Sequence, residues 1–321
     1  MGGPGTEGFS YFQYTPVKGV SIAFAIIWLI SGVLHLWQNN IRYKSWRIGF
    51  LLPWVCLLFV VGFTLREVAS HGLYGNLDIF IATSCFLFCS PPIYLALNSI
   101  IFGRVLYYVP WLSPIHPGRV VSTFLGLDVM IESLAASGAS IASNQNHPPS
   151  LLRVGTILMK VSILGQIPIF SAFCVLVAFF HHRLHQHSIH DRKLRTILIM
   201  LYTSTALIML RNIYRIVDFF QGWGSAMGRT EAYFWCLDAV PILIVTVMMN
   251  VFPPASNLPR SHLTYLARDG KTELQGPGWV DERPFLVTFI DPFDVVGLFK
   301  GKDKKTMFWE EDGVQAETLA K

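Results

Sequence analysis

Asp128 and Glu132 stand four residues apart in STFLGLDVMIESLAASGAS, a stretch otherwise free of charge. Residues at that spacing share one face of a helix, so the two carboxylates form an acidic spot. Such a spot suits an ammonium group or an exchangeable proton. Three more apolar stretches carry polar groups at similar intervals. RVGTILMKVSILGQIPIF holds Lys160 and Gln166, LYTSTALIMLRNIYRIVDFFQ holds Arg211, Arg215 and Asp218 along one stripe, and TEAYFWCLDAV holds Glu231 and Asp238. Each charge near the centre of a membrane helix costs roughly 2.5–3.5 kcal/mol on insertion scales. A chain that keeps this many pairs them, hydrates them or uses them.

The membrane setting follows from composition. Only 14% of the 321 residues are charged, 52% are hydrophobic, and the mean hydropathy is +0.46. Soluble domains carry roughly 25% charged residues. The 24 Phe, 9 Trp and 11 Tyr exceed what a water-soluble core of this size conceals. Disorder, a secreted disulfide scaffold and an ordinary soluble enzyme are all disfavoured.

A bilayer core about 30 Å thick needs about 20 apolar residues per helix. Seven stretches qualify, 18–38, 47–66, 78–102, 120–142, 155–180, 196–218 and 232–252. The expected fold is an all-α membrane protein of seven transmembrane helices. The first stretch is too long for a signal-peptide core and lacks a cleavage site, so it reads as retained. Pro91-Pro92 in the third calls for a kink or an unwound turn. Lys and Arg mark the cytosolic loops. The odd loops hold Arg42, Lys44, Arg47, Arg104, Arg119, Arg183, Arg192, Lys193 and Arg195, and the even loops only Arg66, Arg153 and Arg229. Nine against three places the N-terminus outside and the C-terminus in the cytosol.

Counting helical rise gives depths. Arg211 falls about 8 Å and Asp238 about 9 Å below the outer surface, so the two can meet. Arg215 and Glu231 match near the outer edge. Lys160 comes within reach of Glu132, and Asp128 lies level with Gln166. The arginine pairs read equally as structural clips between helices or as an outer gate. The two carboxylates read as a polar cavity or substrate path. The small-residue run SLAASGASIAS fits either close helix packing or a slot for a lipid tail.

Domain organisation is simple: a short extracellular N-terminus (1–17), a membrane domain (18–254) and a tail (255–321). Residues 258–321 carry 11 of the 20 acids and 9 of the 25 bases, without helical periodicity. This reads as a mostly disordered cytosolic tail, with one interfacial or partner-binding segment around Phe285–Phe299. The net charge of +5 comes from the membrane domain. It reports topology, and no nucleic acid is expected as a partner. All five cysteines lie inside the spans, where an extracellular disulfide has no use. The opening MGGPGT fits a myristoylation pattern, but an outside N-terminus does not meet the acylation machinery.

Nothing points to catalysis or to a cofactor. No G-x-x-x-x-G-K-[ST] occurs, and the last helix lacks a retinal-binding lysine. HHRLHQHSIH has five histidines in ten residues but no cysteine or carboxylate at ligand spacing, so no metal site is expected. It reads as a basic loop near anionic lipid. His35 reads as a hydrogen-bonded residue near the inner end of helix one. As the only histidine inside a span, it leaves an intramembrane enzyme little to work with.

The ordered series of polar and aromatic residues resembles the fungal RTA-like family, a group linked to lipid translocation and aminocholesterol resistance. The matching residues are Tyr14 with Pro16, His35, Gly62-Phe63 then Arg66, Pro92 and Tyr94 before Gly103-Arg104, Phe124 with Asp128, Gly138 and Gln166. LYTSTALIMLRNIYRIVDFFQGWGSAMGRTEAYFWCLD and Pro253 complete it, so the likeness covers roughly residues 11–254. Three positions depart from the family pattern: Phe59 and Ala135 replace a usual Glu and Gln, and Asp218 replaces a usual Glu. The resemblance implies a plasma-membrane protein that exports or flips sphingoid bases or toxic amphiphiles, with membrane lipids as partners. A seven-helix receptor or lipid-stress sensor signalling through its tail is the alternative.

Overall fold

A computed structural model describes residues 10–45, 49–89, 92–115, 117–143, 147–189, 191–222, 224–276, 287, 290–291 and 295–300. Seven helices are long and apolar enough to cross a membrane: α1 (Val20–Arg42), α2 (Leu51–Leu73), α3 (Leu77–Tyr108), α4 (Pro117–Ala142), α5 (Pro149–Gln186), α6 (Arg192–Gln221) and α7 (Glu231–Asn257). The protein is thus an all-α, seven-span membrane protein. Its flanks carry the side chains that lipid requires, with Ile30, Val33, Val175 and Val251 each more than half exposed. The span runs furthest past its apolar limits at α5, whose ends are polar.

α3 consists of two helical segments, Leu77–Cys89 and Pro92–Tyr108. Pro91 and the Cys89 side chain lie outside the described residues. α1 packs on α2 and α7 through stacked rings. Trp28 lies on Phe59 at 4.0 Å, Phe59 on Phe63 at 6.1 Å, and Phe63 on Trp235 at 5.8 Å. Phe59, at the position of a usual family Glu, is thus fully committed to packing.

α4 and α5 cross closely, which decides the role of the small-residue run. A Cβ on Gly138 would lie 2.7 Å from the Gly155 carbonyl oxygen, and one on Gly155 2.8 Å from that of Gly138. Backbone therefore meets backbone there, leaving no slot for a lipid tail. Ser162 Oγ donates to the Ile131 carbonyl at 2.9 Å along the same contact.

Part of the stretch expected to be disordered is folded. Strands β1 (Thr264–Leu266) and β2 (Glu273–Gln275) form an antiparallel hairpin. In its turn the Asp269 carboxylate accepts from the Thr272 hydroxyl and the Lys271 and Thr272 amides, which draw its pKa down to about 2. The segment docks under α3. Arg104 donates to the Ser261 carbonyl at 2.9 Å, and Trp111 Nε1 to that of Leu266 at 3.1 Å. Tyr265 and Leu266 are buried there. Residues 285–286, 288–289 and 292–294 of the supposed partner-binding segment lie outside the described residues.

Gly138→Leu forces a side chain against a backbone oxygen and is expected to destabilise the bundle by about 1–3 kcal/mol. Thermal unfolding in detergent checks this, with Ala139→Leu, at a neighbouring exposed position, close to neutral.

Candidate functional site

α7 begins with one α-helical turn, then widens into a π-helical turn over Trp235–Ala239. Such insertions recur at functional sites because they shift the phase of the side chains that follow. Asp238 sits inside this turn, 5% exposed. α6 presents Arg211 and Arg215 one turn apart on the face opposite it. Arg211 Nε donates to Asp238 Oδ1 at 2.8 Å, and Arg215 Nε to the same oxygen at 3.0 Å. Arg215 Nη2 takes Oδ2, making a bidentate contact. Asp218 reaches Arg215 only at 4.0 Å.

A second cluster lies at the end of the bundle where residues 10–19 cross, here termed the N-face. Arg66, 2% exposed, donates through Nη2 to Glu231 at 2.9 Å and to the Tyr14 hydroxyl at 2.6 Å. The rings of Phe12, Tyr14, Phe234 and Trp235 surround its guanidinium at 4.2–5.5 Å. Burial lifts the Tyr14 phenol above its ordinary range, against the opposing pull of Arg66. The N-terminal segment is held as a strap. Val17 N donates to Glu231 at 2.8 Å, Gly19 N to Glu67 at 2.9 Å, Tyr11 N to the Tyr74 carbonyl at 3.1 Å, and Gly224 N to Gln13 at 2.6 Å.

Below the Asp238 clamp, toward the middle of the bundle, Asp128 faces Arg211 across a crevice also lined by Pro92, Gln166, Phe170, Ile208 and Asn212. The crevice is shut, without room for a water molecule. Pro92, the first residue of the Pro92–Tyr108 segment of α3, thus borders the crevice. Gln166 Nε2 donates to Glu132 at 3.1 Å. Glu132 also interacts electrostatically with Arg211. Asp128 is 7% exposed, and no hydrogen bond from the described residues reaches it. Two arginines balance Asp238 and Glu132. Asp128 is the carboxyl left over.

Several expected partners are exchanged. Arg211 meets Asp238, but Arg215 joins the same carboxylate instead of Glu231, and Glu231 turns to Arg66. Gln166 bonds to Glu132 instead of Asp128, although it lines the crevice with both Asp128 and Arg211. Lys160 lies over the Phe220 ring at 5.2 Å and makes no ion pair with Glu132. Arg66, Tyr14, Pro92 and Asn212 join the expected residues. Loop-charge counting treats Arg66 as solvated, and only its place in the family series with Tyr14 marks it. Among the described residues no three metal-binding side chains come together. His187 packs edge-on against Trp111, and His182 bonds to Gln186.

A family model described as "RTA1 like protein" matches residues 54–261, which include most of these charges. The chain belongs to the RTA1-like family. A "Lipid-translocating exporter-like protein RTA1" of Leptosphaeria maculans is 33% identical over 317 residues, covering 92% of this chain and 60% of the relative. The chain thus spans less than two thirds of that relative's length. One of the same name from Ajellomyces capsulatus is 28% identical, covering 80% of this chain and 84% of the relative. "Protoporphyrin uptake protein 1" of Saccharomyces cerevisiae is 25% identical, covering 76% and 92%. No solved structure matches the chain.

Asp238→Asn leaves two buried guanidinium groups without their counter-charge, a loss of about 3–5 kcal/mol. Thermal unfolding in detergent is expected to show it, with Asp218→Asn, at a half-buried position, costing far less.

Proposed function

We propose that the RTA1-like membrane domain moves cationic amphiphiles, of the sphingoid-base type, between the leaflets of the plasma membrane, and so confers tolerance to them. The observation that carries this reading is the surplus carboxyl of Asp128, buried beside Glu132 and Gln166 with no hydrogen-bond partner among the described residues. A carboxyl in such a place takes either a proton or a cation, since a bare buried charge is prohibitively costly. An alkyl ammonium supplies the cation, and its chain runs between helices into lipid. The names of the fungal relatives, two of them lipid-translocating exporter-like, agree with a lipid-related substrate.

In this reading the N-terminus is outside, so the strap over Arg66 closes the outer end. The shut crevice is an occluded resting state. Loading requires the Arg211 side of the crevice to yield, and the Asp238 clamp holds both arginines while it does. Exchange of a proton on Asp128 for the ammonium supplies coupling without ATP. Glu132 and Gln166 position the headgroup, while Lys160, on the Phe220 ring, stays at the border of the path. Membrane lipids and the amphiphile are the partners, and the cytosolic tail is left for a protein partner.

Asp128→Asn with Glu132→Gln is expected to abolish leaflet exchange of a labelled sphingoid base in proteoliposomes, at least tenfold, while the protein still inserts and folds. Unchanged exchange overturns the proposal. Removing residues 277–321 is expected to leave exchange largely intact; a signalling receptor would instead lose its output.

A further inference from the structure

The seam between α1 and α7 is polar along its length in the half of the bundle away from the N-face. Ser31, His35 and Gln38 of α1 follow one another at spacings of four and three, so they share a face. Thr246 and Asn250 of α7 oppose them. Asn250 Nδ2 donates to Ser31 Oγ, and Gln38 Nε2 donates to the Asn250 carbonyl at 3.0 Å. The His35 ring lies against the Thr246 backbone. The Thr246 hydroxyl donates to the Ile242 carbonyl at 2.9 Å and meets the Tyr94 hydroxyl of α3.

Three buried atoms in this seam have no hydrogen-bond partner among the described residues: His35 Nε2, Gln38 Oε1 and Asn250 Oδ1. His35 is 1% exposed. Two of the three are amide oxygens, which only accept. A neutral imidazole has one N–H and one bare nitrogen, whereas a protonated ring donates from both. What the set lacks is one donor, and a single proton on His35 supplies it. Immediately beyond, α1 passes into a π-helical stretch, Gln38–Arg42, where the backbone can adjust.

We propose that His35 is a proton-binding site on the α1–α7 seam. The Nε2 lone pair takes a proton from hydronium arriving at the face opposite the N-face, leaving water behind. The new N–H donates into the orphan oxygens of Gln38 and Asn250 and draws α1 against α7. The titratable groups bonded to the seam are the Cys56 thiol of α2, on Ser31, and the Tyr94 phenol of α3, on Thr246. No charged side chain among the described residues acts on it. The site needs neither Asp128 nor an amphiphile, so it stands or falls apart from the transport reading.

The test uses the full chain in lipid nanodiscs with no added amphiphile. Carbonyl-labelled leucine with nitrogen-labelled histidine selects the Leu–His pairs at His35 and His185 in magnetic resonance. The exposed His185 is recognised by a water-soluble relaxation agent, and His35→Gln confirms the assignment. Between pH 9 and 4 the His35 nitrogens are expected to pass from the neutral pattern to the imidazolium pattern. Asn250→Asp, which places a carboxylate at the seam, is expected to raise the midpoint by one pH unit or more. A neutral ring down to pH 4 overturns the proposal, as does a midpoint indifferent to Asn250→Asp. If Asn250→Asp does not fold, the wild-type titration alone decides whether the proton binds.

Discussion

Asp238 accepts hydrogen bonds from Arg211 and Arg215 in the interior of a bundle whose outer surface is Ile, Val, Leu and Phe. Two cations on one anion leave a charge to be met elsewhere, and lipid cannot meet it. Glu132 does so across the bundle, which links α4 electrostatically to Arg211 of α6. The π turn over Trp235–Ala239 aims Asp238 where both arginines reach it. The aromatic stack from Trp28 to Trp235 then fixes α1 and α2 against that same turn. Close backbone contact at Gly138 and Gly155 holds α4 on α5, keeping Glu132 beside Gln166.

The consequence is a layered interior. At the N-face, Arg66 is enclosed by rings and by the strap of residues 10–19. Beneath it lies the double-arginine clamp, and beneath that a shut crevice containing Asp128, which no cation among the described residues pairs. The first two layers bring each carboxylate to a guanidinium. On the proposed transport reading the cargo meets the protein at Asp128, which no hydrogen bond from the described residues reaches.

Much of this is legible in the sequence, for a physical reason. Apolar length sets the number of spans, and helical rise sets depth, so Arg211 and Asp238 are paired correctly from counting alone. Rise says nothing of rotation about the helix axis. That is why Arg215 is matched with Glu231 on depth, although the π turn rotates Asp238 into its reach and Arg66 claims Glu231 from another helix. Lys160 fails for the same reason: level with Glu132, it lies on Phe220. The hairpin of residues 264–275 escapes notice because each strand is three residues long. Its partners, Tyr108 and Trp111, are 165 and 155 residues away in sequence.

The most direct test of the surplus-carboxyl account is equilibrium binding to the purified chain in lipid nanodiscs. A long-chain primary amine is compared with the alcohol of the same chain length. The account requires the amine to bind at least tenfold more tightly, with the preference lost in Asp128→Asn and kept in Lys160→Met. Equal affinity for amine and alcohol, or an amine preference that survives Asp128→Asn, contradicts it.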